Sequence, residues 1–230
     1  MYNDSYSGAA GVPYAAPLSV ADVMRRVYAW LALGLVVGFG ISYFVGQQIG
    51  HNNAIGNALA SPIAPIVLIV AYLGVGFGFF PIVQRTSIAF GAVLYVLFAA
   101  IFGVLISTIW VTYSTSSIFT AFLTTAAMFG AMSLIGFATK MDLSKLGAIL
   151  IMALIGLIIA SVVNIFLNNP VVYWIVSYAG VLIFAGLTAY DTQWIRKQAV
   201  SAVAAGTGQT VTVSRLALLG AFRLFLDFIN

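Results

Sequence analysis

Two hundred and thirty residues, 63% of them hydrophobic and 6% charged, exclude an ordinary soluble domain, in which roughly a quarter of residues carry charge. The net charge of +4 comes from nine Lys and Arg against five acids, all of them Asp; cations so few and so scattered make no phosphate-binding face, and nucleic acid is not an expected partner. Seventeen Phe and eleven Tyr exclude a disordered chain. The lack of Cys removes disulfides, thiolate metal sites and cysteine nucleophiles together, and a single His leaves zinc almost without ligands.

What remains is an all-α polytopic membrane protein whose first partner is the lipid bilayer. Residues 1–23 are rich in Gly, Ala, Ser, Pro and Tyr and lack the charged start and apolar stretch of a signal peptide, so they are expected to form a disordered cytoplasmic tail. Residues 24–230 then make one transmembrane domain. A helix needs about 20 apolar residues to cross a hydrocarbon core of about 30 Å. Such runs are predicted at 27–45, 63–83, 88–110, 118–139, 146–167 and 171–194, with a seventh at 216–230. From Leu216 to Asn230 the rise is about 22 Å, short of a full crossing, which leaves the last helix ending inside the bilayer or the sequence truncated.

The breaks carry turn chemistry. Residues 47–60 are rich in Asn and Gly, residues 113–117 in Ser and Thr, and Asn168-Asn169-Pro170 is a tight turn. None of these holds a charge, whereas the alternate connections hold Arg25 and Arg26, Arg85, Lys140 and Lys145, then Arg196, Lys197 and Arg215. By the positive-inside bias the N-terminus and every even-numbered loop are cytoplasmic. Trp30 and Trp194 then fall at cytoplasmic ends and Trp110 and Trp174 at outer ends, the interfacial depth that indole prefers. Gly34-xxx-Gly38 and Gly74-xxx-Gly78 have the spacing of close helix contact, for which packing within the chain is a simpler explanation than a dimer.

Two acids do not belong to loops. Asp191 continues the sixth span in Tyr190-Asp191-Thr192-Gln193, and Asp227 lies inside the apolar run Leu224-Phe225-Leu226-Asp227-Phe228-Ile229-Asn230. An ionisable group so placed marks function by default, because inserting it costs at least about 2.5–3.5 kcal/mol. With Arg196 and Arg223 taken as snorkelling markers of the interface, the two carboxylates are expected at similar depth, on consecutive antiparallel helices. Carboxylates sharing a dry site cannot both ionise cheaply, so they hold one proton between them or recruit a cation. Arg85 is the expected counter-ion, exchanging its bond between two packings. The competing reading has the two acids merely pairing with Arg196, Lys197 or Arg223 at a hydrated interface.

These segments, Gly186-Leu187-Thr188-Ala189-Tyr190-Asp191-Thr192-Gln193-Trp194-Ile195 and the heptad ending at Asn230, closely resemble the Bax inhibitor-1 family, the transmembrane Bax inhibitor motif proteins. The basic turn at Arg85 and the Lys-x-Asp-Leu-Ser loop at residues 140–144 extend the resemblance over the chain from about Met24 onward. It implies six helices around a central seventh, and a calcium leak tuned by pH through paired aspartates. It makes Asp191 and Asp227 the sensor pair and Arg85 the latch. No enzyme and no resident cofactor are expected. The residues themselves offer Ca²⁺ two hard oxygen ligands, too few for tight binding, so calcium or another cation is a transient guest. A bacterial inner membrane is the expected location, and membrane-protein partners are left open.

Three alternatives stand beside this. A proton-coupled transporter would favour broken helices in paired halves, and only Pro81 offers one. A regulatory scaffold for membrane-protein quality control leaves no mark in the residues. An intramembrane aspartyl protease also uses two Asp on neighbouring helices, but Phe225 and Leu226 stand where the presenilin-like type has Gly before its second Asp. His51 lies among Asn residues in an outer loop, away from any serine nucleophile's context. Residues 206–210 lack the Lys of a phosphate loop, and the Asn3 sequon is expected on the cytoplasmic side.

Overall fold

A computed structural model describes residues 19–49, 51, 54–59, 61, 63–205 and 210–230. Most of the expected tail, the Asn3 sequon, Pro62 and the glycine-rich stretch 206–209 lie outside the described residues. Those described form nine helices: α1 Val20–Gly46, α2 Ala54–Leu59, α3 Ala64–Arg85, α4 Ile88–Leu105, α5 Ile109–Thr112, α6 Thr115–Ala138, α7 Ser144–Leu167, α8 Pro170–Ala204 and α9 Thr210–Ile229. Six stretches are long and apolar enough to cross a membrane, namely α1, α3, α4 with α5, α6, α7 and α8. They match the six complete predicted runs.

The helix ends follow from local chemistry. α1 starts at Val20 rather than 27, because Ser19 and Asp22 form a reciprocal capping box: the Asp22 N–H donates to Ser19 Oγ at 3.2 Å and the Ser19 N–H to Asp22 Oδ2 at 3.0 Å. The 88–110 run divides in two around residues 106–108, where the Ser107 hydroxyl turns back to the Val104 carbonyl. At the Asn-Asn-Pro turn, Asn168 closes α7 with φ 46°, a left-handed conformation that Asn tolerates. Asn169 then caps α8 by accepting from the Val171 and Val172 N–H groups, with Pro170 in the first turn. α8 runs ten residues past Trp194 and α9 begins six before Leu216. The last helix is thus 20 residues long, about 30 Å, longer than the predicted run, and it is not among the six stretches apolar enough to cross.

α9 lies against several of the other helices. It packs on α1 and α8 and reaches α3, α4 and α6, while α1 lies on α4, α3 on α4, and α6 and α7 on α8. Its Phe222 and Phe225 enter an aromatic core. Phe222 stacks on Phe79 at 4.0 Å between ring centroids, and Phe225 meets Tyr95 and Phe98 edge-on at 6.0 Å. Val27, Leu31 and Val83 close the core around them. The outer faces are as apolar as the inner ones: Phe77, Leu134, Ile165 and Phe166 are largely exposed, an arrangement that only a lipid environment makes stable.

Small residues let two of these helix pairs touch by backbone. Gly34 lies under the Tyr95 ring and Gly38 against the Ala99 carbonyl, so the first Gly-xxx-Gly serves contact between α1 and α4; nothing lies within 4 Å of a Cβ built on Gly74. On α6 a Cβ at Gly136 would overlap the Ala189 carbonyl oxygen of α8, backbone that cannot turn aside. Gly136→Ala is therefore expected to force α6 from α8 and lower stability by about 1–3 kcal/mol, read as a fall in the thermal unfolding midpoint in detergent. Gly74→Ala, on an open face, should leave that midpoint unchanged.

Candidate functional site

The buried stretch of α8 is also its most polar one. Leu187, Thr188, Ala189, Asp191, Thr192, Gln193 and Ile195 are all buried, because α6, α9 and α1 pack around this part of the helix. Thr188 turns back to the Phe184 carbonyl of its own helix at 2.8 Å, and the other polar side chains there each find a partner on a different neighbour. Thr192 shares a buried hydrogen bond with Ser133 of α6 at 3.1 Å. Gln193 holds the α6–α7 turn at two backbone points, its Nε2 donating to the Met141 carbonyl at 2.7 Å and its Oε1 accepting from the Leu143 N–H at 2.9 Å. The next turn of α8 adds Arg196, which donates to the Phe137 carbonyl at 2.7 Å, and Lys197, which pairs with Asp142 at 2.6 Å.

The bond from Lys197, followed by those from Ser144, holds the Asp142 carboxyl down at about 2 against an ordinary 3.8. A lowered carboxylate pKa stabilises the folded state above the ordinary value, and this link is lost only as pH falls from about 3.8 towards about 2.

Asp191 faces the other way, towards α9. Arg223 Nε donates to its Oδ2 at 3.0 Å, and Nη2 stands 2.6 Å from Oδ1. The second approach is ionic rather than an aligned hydrogen bond, since Oδ1 takes no bond of good geometry. This is the two-pronged contact for which a planar guanidinium is suited. The guanidinium also lies 4.5 Å from the centre of the Trp194 ring and 5.8 Å from that of Tyr190, so aromatic faces replace part of its hydration. With side-chain exposures of 22% for Arg223 and 8% for Asp191, the pair is largely withdrawn from solvent.

Asp227 sits one helical turn beyond Arg223 on the same face of α9 and is also buried. Its Oδ2 has no hydrogen-bond partner, while the charges of Asp191 and Arg223 both reach it. All three line one cavity of about 650 Å³ between α3, α7, α8 and α9, whose other walls include Phe80, Ile151, Leu154 and Leu187. The structure thus brings the two predicted acids to one site. Asp227 lies about one turn, or 6 Å of rise, along α9 from Arg223, whose guanidinium meets Asp191. The snorkelling assumption misled, since Arg223 turns inward to a carboxylate.

Arg85, the expected counter-ion, is exposed in the last turn of α3 and takes no side-chain hydrogen bond or ion pair among the described residues. The position is taken by Arg223, which reaches Asp191 without leaving the bundle. Beside Arg85 the Thr86 carbonyl accepts instead from Arg215 Nη2 at 2.9 Å. Two signals for Arg223 were present in the sequence: its spacing of four from Asp227, and its distance from the α8–α9 connection, matching that of Asp191. Gln193 as a clamp carried no such signal.

As a metal centre the site is poor. No group of three or more His, Asp or Glu gathers among the described residues, and Arg223 already occupies one of the two carboxylates. Calcium takes six to eight oxygens, so Asp191 and Asp227 do not suffice for a resident ion.

The chain also resembles known proteins in sequence. The model of the family described as inhibitor of apoptosis-promoting Bax1 matches residues 20–230. The chain is 38% identical over 208 residues to the inner membrane protein YbhL of Escherichia coli strain K12, covering 90% of this chain and 86% of that one. It is 36% identical over 211 residues to an uncharacterized protein of Deinococcus radiodurans, covering 92% and 87%. To the uncharacterized protein RP147 of Rickettsia prowazekii it is 37% identical over 207 residues, covering 90% and 84%. A match from the first turn of α1 to the last residue, around a helical bundle with six apolar spans, makes this chain a membrane protein of the Bax inhibitor-1 family.

Proposed function

We propose that the protein is a passive cation leak of the bacterial inner membrane, with Ca²⁺ as its cargo, switched by a proton gained or lost at the Asp191 and Asp227 carboxyls beside Arg223. In this reading α9 is a seventh span at the centre of the other six, and the N-terminus is cytoplasmic. The inner-membrane location follows the name of the Escherichia coli relative, and the calcium cargo follows the family resemblance. The observation that carries the switch is the partnerless buried oxygen of Asp227, one turn from a guanidinium already engaged by Asp191. A charge-bearing group without a partner in a dry site is costly in one of its protonation states, so gain or loss of that proton redistributes Arg223 between two acids.

Arg223 moving towards Asp227 loosens α8 from α9 and with them one wall of the cavity, whereas Arg223 on Asp191 holds both helices together. The Asp191–Arg223 fork also weighs against an aspartyl protease, whose two carboxylates must share a proton directly. Passive flux is tested in liposomes loaded with a calcium-sensitive dye, from about pH 6 to about pH 8 across the range of a coupled site. Downhill flux that changes with pH supports the leak. Uphill movement driven by a proton gradient would make the protein a transporter, and a wholly impermeable liposome would leave only a scaffold.

A further inference from the structure

A second cavity, of about 660 Å³, opens beside the α6–α7 turn, lined by Thr139, Lys140, Gln193, Arg196, Lys197 and Ser201 among others. We infer that it binds the phosphate headgroup of an anionic phospholipid. Cations that are scattered along the sequence are brought together by the fold on the two segments that form it, Lys140 and Lys145 on one and Arg196 and Lys197 on the other, against the single acid Asp142. Lys140 and Lys145 are exposed and make no ion pair among the described residues. Arg196 spends one N–H on the Phe137 carbonyl and rests 5.3 Å over the Phe137 ring, which fixes the guanidinium at the cavity wall with its other donors unspent. Basic pockets between helices at the membrane surface are the sites that hold acidic headgroups.

Position decides for a lipid over a dissolved anion. The turn joins two apolar helices, α6 and α7, each able to cross a membrane, so it stands where they leave the hydrocarbon. Phe137, Met141 and Val200 are exposed around it, Met141 at 74%, and Leu146 and Ile149 continue an exposed apolar face along α7. Such a rim is of no use to a hydrated ion and suits acyl chains leading away from a phosphate. Asp142 acts against binding, because it adds a negative charge and holds Lys197.

The test is retention of phosphatidylglycerol by the purified full chain, counted by native mass spectrometry against phosphatidylcholine, with inorganic phosphate in a third arm. A cation near an anionic lipid surface contributes roughly a fivefold factor in affinity. Lys140→Gln is expected to weaken phosphatidylglycerol retention roughly fivefold, and Lys140→Gln with Arg196→Gln roughly 25-fold. Asp142→Asn, which keeps an oxygen to accept from Ser144 and frees Lys197, should strengthen it roughly fivefold, a gain that unfolding cannot mimic. Arg25→Gln, on α1 outside the cavity, should change nothing. The inference is overturned if phosphatidylcholine is held equally well, if Arg25→Gln weakens retention as much as Lys140→Gln, or if Asp142→Asn gives no gain. Inorganic phosphate that competes at the concentration of the lipid headgroup would overturn the lipid in favour of a soluble anion.

Discussion

Asp227→Asn is expected to abolish the pH dependence of cation flux through the reconstituted protein. The replacement has nearly the same shape and volume, so the walls of the cavity and the aromatic core around Phe225 and Phe228 should keep their packing. What it removes is the proton. An amide is neutral at every accessible pH, so Arg223 has only Asp191 to engage, and the α8–α9 contact no longer alternates. A one-proton switch changes flux by up to about tenfold per pH unit well to one side of its midpoint, whereas the variant should stay within about twofold over the same interval. The charged and polar groups that share its cavity close to Asp227 are few: Asp191 faces it from α8, and Arg223 and Asn230 belong to its own helix. A pH response in the variant equal to that of the original protein would refute the switch, because among the described residues the only other carboxyl on that cavity, Asp191, is held by Arg223.

Arg223→Gln should be the most destabilising single change in the site. It leaves Asp191 buried with its two oxygens facing α9 and no cation between them, and breaking one side of a buried ion pair costs about 3–5 kcal/mol. Arg223→Lys should fall between, since an ammonium keeps the charge but loses the two-pronged contact and the stacking on Trp194. Combining Arg223→Gln with Asp191→Asn removes both charges and should recover much of the loss, giving a coupling energy of about 1–3 kcal/mol in a double-mutant cycle. Thermal unfolding in detergent measures the original protein, Arg223→Lys, the two single variants of the cycle and their combination. If Arg223→Gln melts within about a degree of the original, the pair does not hold α8 to α9.

These two expectations rest on a side chain that sequence rules read wrongly. A long cation near a helix end is normally a surface marker, because its stem is apolar and its head seeks the headgroups. Arg223 reverses this because three partners lie inward of it: the Asp191 carboxylate and the rings of Tyr190 and Trp194. The same holds for Arg85, whose place in a basic turn suggested a latch while its surroundings in this structure leave it in the open. Helix ends were misplaced for a related reason. Apolar runs end where charges begin, but helices do not, and α8 continues through Arg196 and Lys197 while α9 starts six residues ahead of Leu216.

Composition and the spacing of apolar runs determined by themselves that this is a helical membrane protein, where its six spans lie, and that Asp191 and Asp227 are out of place in them. The reason is that a bilayer leaves a chain almost no choice: backbone polar groups must be satisfied within each segment, and a charge inside one stands out against its neighbours. Tertiary structure alone decided which cation meets Asp191, that Gln193 clamps the α6–α7 turn, and that Lys140 and Arg196 border one cavity. Those facts depend on the rotation and register of helices about one another, which close contacts such as Gly136 on Ala189 set to fractions of a turn, a precision to which linear spacing is blind.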